Sequence, residues 1–379
     1  MQPILYSSFT LSGNSYHYNI VGVLTHCTKC EVHEIRNGAY TLSLETTVNE
    51  ESADRILAQN VIAAKPNPTD PIQFFEIQKT TRSLDGIIKV EAKHIKHLCF
   101  QICSDGGLDF SDSIYTYTGT PQQVWNKLVS DFITGGSVPF TFSSNISSTR
   151  AFYLGMNTAE MLGNILGGKE GSFTDMWAGG EFYWNNFAIE FKSQRGRNSG
   201  FRLRYGSNIS SAIQSESCES MYSHVLPYGK VTGESQKTIN FFAPRFEITG
   251  HQCQSDKTFM LDCTSLLDAY VADDRHGTNY GEIRAAMTAY AQQYAQNNGL
   301  GQLNISIKVD VRAALDEMTE IGLCDTVDVI LDNFGTTATA KIVDVTYDVL
   351  LERWTKIVVG APTVTVADLI LNKRRYNIQ

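Results

Sequence analysis

The sequence lacks the short motifs that mark most enzyme classes. Its 379 residues contain no nucleophile elbow, no zinc-protease helix, no complete phosphate-binding loop and no dinucleotide fingerprint. It also lacks an apolar run near the roughly 20 residues of a membrane span. The start, Met1-Gln2-Pro3-Ile4-Leu5-Tyr6, has neither the basic residues nor the apolar core of a signal peptide. We therefore expect a protein that is made in the cytosol, stays soluble and is not an enzyme.

Basic residues are also too few for a nucleic-acid-binding protein. The chain has 31 Lys and Arg against 40 Asp and Glu, a net charge of −9, whereas phosphate neutralisation needs clustered cations. The acidic balance would still suit a surface that nucleic acid passes without sticking. With 42% hydrophobic and 19% charged residues, 29 Gly, 17 Tyr and 19 Phe, the composition predicts a globular, turn-rich and β-dominated chain of several domains.

Cysteines and histidines offer two candidate metal sites. The pair Cys27 and Cys30 has the spacing of a metal knuckle, but no second pair follows it. A zinc site could also be assembled from His94, His97, Cys99 and Cys103. Since the eight cysteines are otherwise scattered, we favour reduced structural thiols, and we predict no metal and no cofactor.

Three clusters of polar residues could form a catalytic or binding site. Asp273, Asp274, Arg275 and His276 are more typical of a solvated loop than of a site. Asp325 and Asp328 could act as an acid–base pair, but their spacing is also that of turn and solvent-facing residues, which we favour.

Arg195 and Arg197 could bind a phosphate, but we interpret them as a charged hairpin tip. Exposed-looking aromatic residues could bind carbohydrate, although core and interface positions are the better interpretation: Tyr115, Tyr117, Trp177 and Tyr183. No catalytic, cofactor-binding or metal-binding residue is therefore predicted.

Alternating apolar residues predict two groups of strands. In the first, residues 30–35 and 39–46 flank Asn37-Gly38, a strong hairpin signal that places Leu42 and Leu44 on one face. Residues 74–79 and 87–92 form a second pair around Asp85-Gly86, so a small barrel or sandwich is expected to end near residue 98. In the second group, residues 326–330, 341–347 and 355–359 form another meander.

Three helices are predicted between these groups. Thr120 followed by Pro121 is a helix start. A second helix is predicted from Thr158, ended by Gly167-Gly168, and a third over residues 281–298, ended by Gly299. The fold class is therefore mixed and β-dominated (α+β).

The stretch 179–229 lies between the helical region and the second strand group. Residues 188–192 and 201–205 are strand-like and flank a turn-rich run, 195–200, which we predict to be a hairpin tip. Residues 226–229, Leu-Pro-Tyr-Gly, are predicted to form a turn.

Segments in a fixed order along the chain resemble those of the N-terminal hub region of siphophage tail-associated lysins, also called prophage endopeptidase tail or minor structural proteins. They are Pro3-Ile4-Leu5-Tyr6, residues 30–44, Ala64-Lys65-Pro66-Asn67-Pro68, Gly179-Gly180-Glu181, Arg195-Gly196, Arg204-Tyr205-Gly206-Ser207-Asn208, Leu226-Pro227-Tyr228-Gly229, Asp325-Thr326-Val327, and Tyr347-Asp348-Val349-Leu350-Leu351-Glu352-Arg353-Trp354-Thr355-Lys356. Together they span residues 3–361.

This resemblance implies a phage tail hub fold with two β-barrel-like domains and two peripheral α+β domains. The barrels would be residues 1–98, and residues 196–235 with 318–360. The peripheral domains would be 99–195 and 236–317, and residues 361–379 would form a C-terminal tail.

The resemblance also implies a homotrimer at the virion tail tip. Its partners would be the hexameric ring of the distal tail protein, the C-terminus of the tape-measure protein and receptor-binding proteins, and DNA would pass without specific binding. Many relatives continue into a peptidase, muramidase or fibre, whereas this sequence ends at Gln379, so we expect no lysin activity. A peptidoglycan hydrolase and a carbohydrate-binding adhesion module are the alternatives.

Overall fold

A computed structural model describes most of the chain. The described residues are 2–12, 15–104, 116–133, 138–153, 160–168, 171–177, 179–204, 209–232, 238–268, 280–297, 300–301, 304–311, 321–331 and 336–360. Strands dominate this part of the chain and a few helices accompany them, as the sequence predicted. None of the described helices is long and apolar enough to cross a membrane.

The N-terminal quarter is almost entirely strand, with short 3₁₀ turns at Ala53–Arg55 and Ile95–Gln101. Its strands are β1 (Ile4–Tyr6), β2 (Thr10–Ser12), β3 (Ser15–His17), β4 (Ile20–Val23), β5 (Lys29–Ile35), β6 (Tyr40–Thr47), β7 (Val61–Ala64), β8 (Gln73–Arg82) and β9 (Ile87–His94). The predicted hairpin is confirmed: β5 pairs with β6, and Asn37 in the turn adopts a φ of 52°. The predicted pairing of β8 with β9 around Asp85-Gly86 is confirmed as well.

Alternation along β6 sets the position of the core. Leu42 and Leu44 point inward and are almost completely buried, whereas Thr41 and Ser43 lie on the opposite face and are half-buried. This is the two-residue period of a strand that covers a core on one side only. The predicted facing of this strand is confirmed.

The next segment mixes short strands and helices. It contains β10 (Cys103–Ser104), β11 (Thr116–Gly119), α1 (Pro121–Phe132), β12 (Thr141–Ser144), β13 (Arg150–Tyr153), β14 (Glu160–Met161), α2 (Leu162–Leu166), α3 (Phe173–Met176), β15 (Glu181–Asn185) and β16 (Ala188–Lys192). The helix predicted from Thr158 begins later, at Leu162, because β14 pairs with β10 first. Thr158 itself lies outside the described residues, and Gly167 ends the helix as predicted.

Helix α1 begins where the sequence predicted, with a complete capping box. The Oγ1 of Thr120 accepts the N–H of Gln123, and the Gln123 side chain accepts the N–H of Thr120 at 2.9 Å. These bonds satisfy two donors that the first turn otherwise leaves unpaired.

Replacing Thr120 with Ala is expected to lower the free energy of unfolding by about 1 kcal/mol, because the cap is lost. Denaturant unfolding of the two proteins measures this. The matched control is Gln122→Ala in the same turn, whose side chain donates only to exposed Asn126 and whose loss should cost under about 0.5 kcal/mol. Equal effects from the two changes would contradict the role of the cap.

The segment after β16 contributes a second core. Its elements are β17 (Asn198–Arg204), β18 (Ile209–Ser217), β19 (His224–Thr232), β20 (Thr238–Phe242), β21 (Phe246–Glu247), β22 (Thr258–Asp262), α4 (Thr264–Asp268), α5 (Tyr280–Asn297) and β23 (Asn304–Val311). Buried residues of β19, β22, α4 and α5 form a cluster separate from the larger core, including Val225, Leu261, Leu267 and Met287.

The turn predicted at residues 226–229 is wrong. These residues lie inside β19, the central strand of this second sheet, despite Pro227 and Gly229. Gly229 packs directly against helix α4, because a Cβ at this position would lie 2.3 Å from the Leu267 side chain. Glycine is therefore required here because strand β19 and helix α4 lie close together, and not because the chain turns.

The last three strands return to the first sheet. They are β24 (Thr326–Leu331), β25 (Thr336–Asp348) and β26 (Arg353–Val359). The long strand β25 pairs with β24 and β26, which confirms the predicted meander, and also with β5 from the N-terminal part. The strand order is β17-β24-β25-β5-β6-β9-β8-β7-β1-β4, with β26 attached to β25.

This sheet does not close on itself within the described residues. Its outermost strands are β17 and β4. One large apolar core, which runs from Leu5 to Val359 and includes residues 124–191, covers its inner face. The N-terminal and C-terminal strand groups therefore share one sheet and one core.

Candidate functional site: an ionic junction and a charged sheet face

Arg195 lies at the centre of a buried group of charges. Its guanidinium donates to both carboxylate oxygens of Glu34, at 2.6 and 3.1 Å, and lies 3.7 Å from Asp70. The side chains of Arg195 and Glu34 are only 9% and 6% exposed, and the guanidinium stacks 4.9 Å above the ring of Tyr183. Burial alone would lower the pKa of Arg195, but the ion pair with Glu34 raises it above its usual value.

Glu181 brings together two further cations. One of its oxygens lies 2.5 Å from Lys341 and 3.5 Å from Arg36, and the other accepts the backbone N–H of Arg195 at 2.7 Å. Glu181 is the first residue of β15 and pairs with Lys192 of β16, Arg36 follows β5 and Lys341 lies in β25. The carboxylate therefore links the sheet to the segment that carries Arg195.

Asp325 ties the same segment to the start of β24. Its carboxylate accepts the N–H of Arg197 at 2.7 Å and that of Gly322 at 2.9 Å. The side chain is buried, so the interpretation of Asp325 as solvent-facing is wrong. Asp328 is half-buried and accepts a weak hydrogen bond from Thr339 at 3.4 Å.

Gly196 makes the closest backbone approach of this region. A Cβ at this position would lie 2.1 Å from the carbonyl carbon of Cys324, well inside any real contact. The N–H of Thr326 also donates to the carbonyl of Arg197. Only glycine allows the two chain segments to run this close together.

The predicted hairpin tip at residues 195–200 is therefore wrong. Strand β17 begins at Asn198 and pairs in parallel with β24, rather than turning back against β16. Tyr205, the predicted end of that strand, lies outside the described residues. We call the group of Arg195, Glu34, Asp70, Glu181, Asp325 and their cationic partners the ionic junction.

Side-chain amides complete the contact between these segments. Asn37 donates to the carbonyl of Gly180 and accepts the N–H of Phe182, at 2.8 and 2.9 Å. Asn186 accepts the N–H of Phe74 at 2.8 Å. The junction is thus both charge-paired and hydrogen-bonded, which satisfies groups that would be costly to bury alone.

Lys96 and His94 lie beside the junction on the sheet side. The Nε2–H of His94 donates to Gln73 at 3.0 Å while its Nδ1 accepts the N–H of Lys96, and its ring stacks 4.3 Å from that of Tyr40. Burial, aided by nearby Lys96, holds the pKa of His94 well below its usual value, so this histidine is neutral. Lys96 donates to the carbonyl of Gly38.

Lys96, which is half-buried beside the junction, gives the fold a definite pH dependence. Burial lowers the pKa of Lys96 from 10.5 to about 8, although Glu34 opposes the shift. The unfolded chain therefore holds more protons than the folded one between these values, and stability rises with pH across that window. The expected gain from this group is about 3 kcal/mol in total.

Unfolding by urea in steps across the same window, for the native protein and for Lys96→Met, isolates this contribution. Subtracting the variant cancels the other groups that titrate in alkali. The stability of the native protein relative to the variant should increase as pH rises. A difference that stays flat or falls with pH would contradict the lowered pKa of Lys96 in the folded protein.

Glu34 carried a signal that the sequence analysis missed. It follows Cys30 and Val32 at two-residue spacing, so its side chain points into the core on the same face of β5. A carboxylate at an inward strand position predicts a buried partner. Asp70 and Lys96 lie outside the strands and Glu181 is the first residue of β15, so no alternating strand pattern marks them as buried.

The opposite face of the same sheet is polar and charged. The strand register places Glu31, Ser43 and Glu91 side by side, and His33, Thr41 and Lys93 in the next row. We call this outward side of β25, β5, β6 and β9 the charged sheet face. It contains a shallow depression of about 280 Å³.

Carboxylates and cations alternate across the charged sheet face. Its ion pairs include Lys29–Glu31 at 3.0 Å, Lys89–Glu45 at 3.1 Å, Lys79–Glu91 at 3.4 Å and Lys356–Asp344 at 2.8 Å. The Nε2 of His33 lies within hydrogen-bond distance of Asp344, at 2.8 Å. With charges of both signs paired, the face presents little net potential to a polyanion.

The candidate metal ligands have other partners. His94 is bonded as described above, and the Nε2 of His97 lies 2.5 Å from Glu76. No three His, Cys, Asp or Glu side chains in the described ranges are placed to hold a metal ion.

All eight cysteines lie in the described part of the chain, and none forms a disulfide. Burial, with Glu50 nearby, raises the pKa of Cys27 to about 12, and burial also raises that of Cys30 well above its usual value. Thiols held protonated are poor metal ligands.

The other residues singled out in the sequence are the four aromatic residues and the polar cluster at 273–276. Trp177 is buried and donates to the carbonyl of Ser148, and Tyr117 lies against the core, so the core interpretation of both is confirmed. Tyr183 is half-buried over Arg195. Asp273, Asp274, Arg275, His276 and Tyr115 lie outside the described residues.

The known proteins that are similar to this chain are similar in structure and not in sequence. No protein-family model matches the sequence, and no curated protein matches it either. Among solved structures, the prophage tail protein gp18 from Listeria monocytogenes EGD-e is similar with a TM-score of 0.56 at 14% identity, over 98% of each chain.

Two other tail proteins are similar over nearly their whole length. The 43 kDa tail protein of prophage MuSo2 from Shewanella oneidensis has a TM-score of 0.56 at 11% identity, covering 95% of this chain and 98% of that one. The tail protein from Neisseria meningitidis MC58 has a TM-score of 0.50 at 10% identity, covering 96% and 97%. The chain therefore has the fold of prophage tail proteins.

Proposed function

We propose that this protein is a structural component of a bacteriophage tail tip, where it forms the hub of the baseplate. The observation that carries the proposal is the end-to-end likeness to prophage tail proteins, which covers 98% of this chain and 98% of gp18. Because the match covers almost all of both chains, the likeness concerns the fold of the chain as a whole rather than a single part of it.

The hub is a homotrimer that caps the tail tube and docks on the hexameric ring of the distal tail protein. Two proposed barrel-like domains per subunit, 1–98 and 196–235 with 318–360, each contribute strands to the one open sheet and alternate around the axis, so that a trimer presents six similar units to six-fold neighbours. Residues 99–195 and 236–317 are peripheral, and 361–379 form the tail. The pairing of β25 with β5 and the ionic junction support this arrangement, because they hold the N-terminal and C-terminal strand groups together.

The same hub forms or closes the exit channel for DNA and contacts the end of the tape-measure protein. A channel wall must not bind the polyanion that moves through it, and the interleaved charges of the charged sheet face fit that requirement. Receptor-binding proteins attach around the hub during host attachment. In this role the protein resides in the virion and contributes assembly rather than catalysis.

The expected oligomer is testable with the purified chain. Mass photometry at increasing concentration should show a species of three chains, and addition of the distal tail protein ring should give a complex of one trimer per ring. The Thr120→Ala variant, changed in helix α1, serves as control and should assemble like the native chain. A species that remains a monomer and ignores the ring would contradict the proposed hub.

A zymogram with host cell walls separates the hub from a peptidoglycan hydrolase. The purified trimer is expected to leave the cell-wall layer intact. Clearing of the layer by the native protein would replace the structural role with an enzymatic one.

A further inference from the structure

Asn37 and Gly38 form an Asn-Gly pair, which occurs in this sequence only once more, at Asn298 and Gly299. An Asn-Gly pair is prone to deamidation, because glycine has no Cβ to shield its backbone nitrogen from the neighbouring carboxamide. Asn298 and Gly299 lie outside the described residues. At Asn37 the structure describes every group that takes part in the reaction.

Deamidation of Asn37 would need no reactant other than water. The Gly38 nitrogen loses its proton and bonds to Cγ of Asn37, and the amide nitrogen of the side chain leaves as ammonia. Water then opens the resulting cyclic imide at either of its carbonyls. One opening leaves aspartate, and the other leaves isoaspartate, whose backbone is longer by a methylene group.

The carboxamide of Asn37 is held by the segment that leads into β15. Its Nδ2 donates to the carbonyl of Gly180 at 2.8 Å, and its Oδ1 accepts the N–H of Phe182 at 2.9 Å. Gly180 is itself held, because its N–H donates to the carbonyl of Trp177. Attack on Cγ would make that carbon tetrahedral, and this change would move both side-chain atoms away from their partners.

The attacking nitrogen is held as well. The N–H of Gly38 donates to the carbonyl of Ile35 at 2.9 Å, within the turn between β5 and β6. The Gly38 carbonyl accepts a hydrogen bond from Lys96. A backbone N–H in such a bond gives up its proton to the solvent only after the bond has opened locally.

We propose that Asn37 is a site of spontaneous deamidation, blocked while the β5–β6 turn contacts residues 180–182 and reactive once that contact opens. The proposal is carried by the juxtaposition of a labile Asn-Gly pair with partners for its carboxamide and its attacking nitrogen. Only molecules in which these hydrogen bonds are broken can react. Because three hydrogen bonds oppose the opening, we expect the folded protein to react at least about tenfold more slowly than the unfolded chain.

The products of deamidation cannot restore the contact. A carboxylate at position 37 has no N–H to donate to the carbonyl of Gly180, and it places a negative charge against that oxygen. Isoaspartate lengthens the turn and displaces the bonds that join Ile35 to Gly38 and Ala39. Deamidation therefore makes the opening of this contact irreversible.

Peptide mapping by mass spectrometry tests the proposal on the unaltered chain. The folded protein and the protein unfolded in guanidinium chloride are incubated at the same mildly alkaline pH, and aspartate and isoaspartate at position 37 are followed over time. Asn298 is the reference in denaturant, where both Asn-Gly pairs should react at similar rates. Asn37 should react at least about tenfold more slowly in the folded protein. Equal rates at Asn37 with and without denaturant, or no reaction at Asn37 in denaturant, would overturn the proposal.

Gly180→Ala tests whether the contact with residues 180–182 controls the reaction. A Cβ at Gly180 would lie 2.2 Å from the ring of Phe191, so this segment has to shift. Deamidation at Asn37 should then speed up towards its rate in denaturant. Gly281→Ala is the control, because a Cβ at Gly281 meets no atom within 4 Å, and it should leave the rate unchanged. An unchanged rate in Gly180→Ala would overturn the proposed control.

Asn37→Asp carries the side chain of one product and tests whether the contact can reform. This change is expected to raise the ratio of unfolded to folded chains by about tenfold or more, measured by denaturant unfolding. Asn126→Asp is the matched control, because Asn126 is exposed and its Oδ1 accepts only from Gln122. The control should change the ratio by less than about threefold. Equal stability of Asn37→Asp and the native protein would overturn the irreversible step.

Discussion

Replacing Arg195 with Ala is expected to lower the free energy of unfolding by about 3–5 kcal/mol. The change removes a guanidinium that donates twice to Glu34 and lies near Asp70. Glu34 would then be a buried carboxylate without its counter-ion, and the cost of that unpaired charge exceeds the cost of the lost contact. Urea unfolding followed by tryptophan fluorescence measures the loss.

The matched control for Arg195 is a nearby cation in an exposed pair. Lys192 lies 2.7 Å from Glu190, and both side chains are about one-third exposed. Because water screens such a pair, Lys192→Ala should cost under about 1 kcal/mol. An Arg195→Ala variant as stable as Lys192→Ala would show that the ionic junction does not hold the segments together.

Adding a methyl group at Gly196 is expected to destabilise the fold by at least about 2–3 kcal/mol. A Cβ at this position would lie 2.1 and 2.2 Å from the carbonyl carbon and oxygen of Cys324, and 2.4 Å from the nitrogen of Asp325. All three atoms are backbone, so relief requires the two chain segments to separate. The separation would break the bond from the Arg197 N–H to Asp325.

Gly281→Ala serves as the opposite control in the same measurement. A Cβ there meets no atom within 4 Å, and the residue lies in helix α5. The change should leave stability unaltered or raise it by up to about 1 kcal/mol, because alanine favours a helix over glycine. Comparable losses at Gly196 and Gly281 would contradict the close approach seen at Cys324.

Local signals in the sequence predicted most of the individual elements. Asn37-Gly38 predicted the hairpin because both residue types tolerate a positive φ, which Asn37 adopts in the turn. Thr120 with Pro121 predicted the start of α1 because a cap acts within one helical turn. Both features depend on neighbours along the chain, which a sequence displays directly.

Two of the wrong predictions, at residues 195–200 and 226–229, concern segments whose structure depends on contacts with distant parts of the chain. Arg195 and Glu34 are 161 residues apart, so turn-forming neighbours made a buried arginine resemble a hairpin tip. Residues 226–229 have the composition of a turn, yet pairing with β20 and β22 on either side keeps them in β19. In each case tertiary pairing overrides local preference.

The ionic junction and the sheet together join the two strand groups of the chain. Strand β25 pairs with β5 and so links the N-terminal and C-terminal strand groups through backbone hydrogen bonds. Arg195, Glu181 and Asp325 link the segment around Arg195 to both groups.

The most direct test of the proposed role is a cryo-EM map of the tail tip of the phage that carries this protein. We predict three copies around the axis at the end of the tail tube, in contact with the six-membered ring of the distal tail protein. We also predict that the surface facing the axis is neutral or acidic. A tip without this chain, or a ring of Lys and Arg facing the axis, would contradict it.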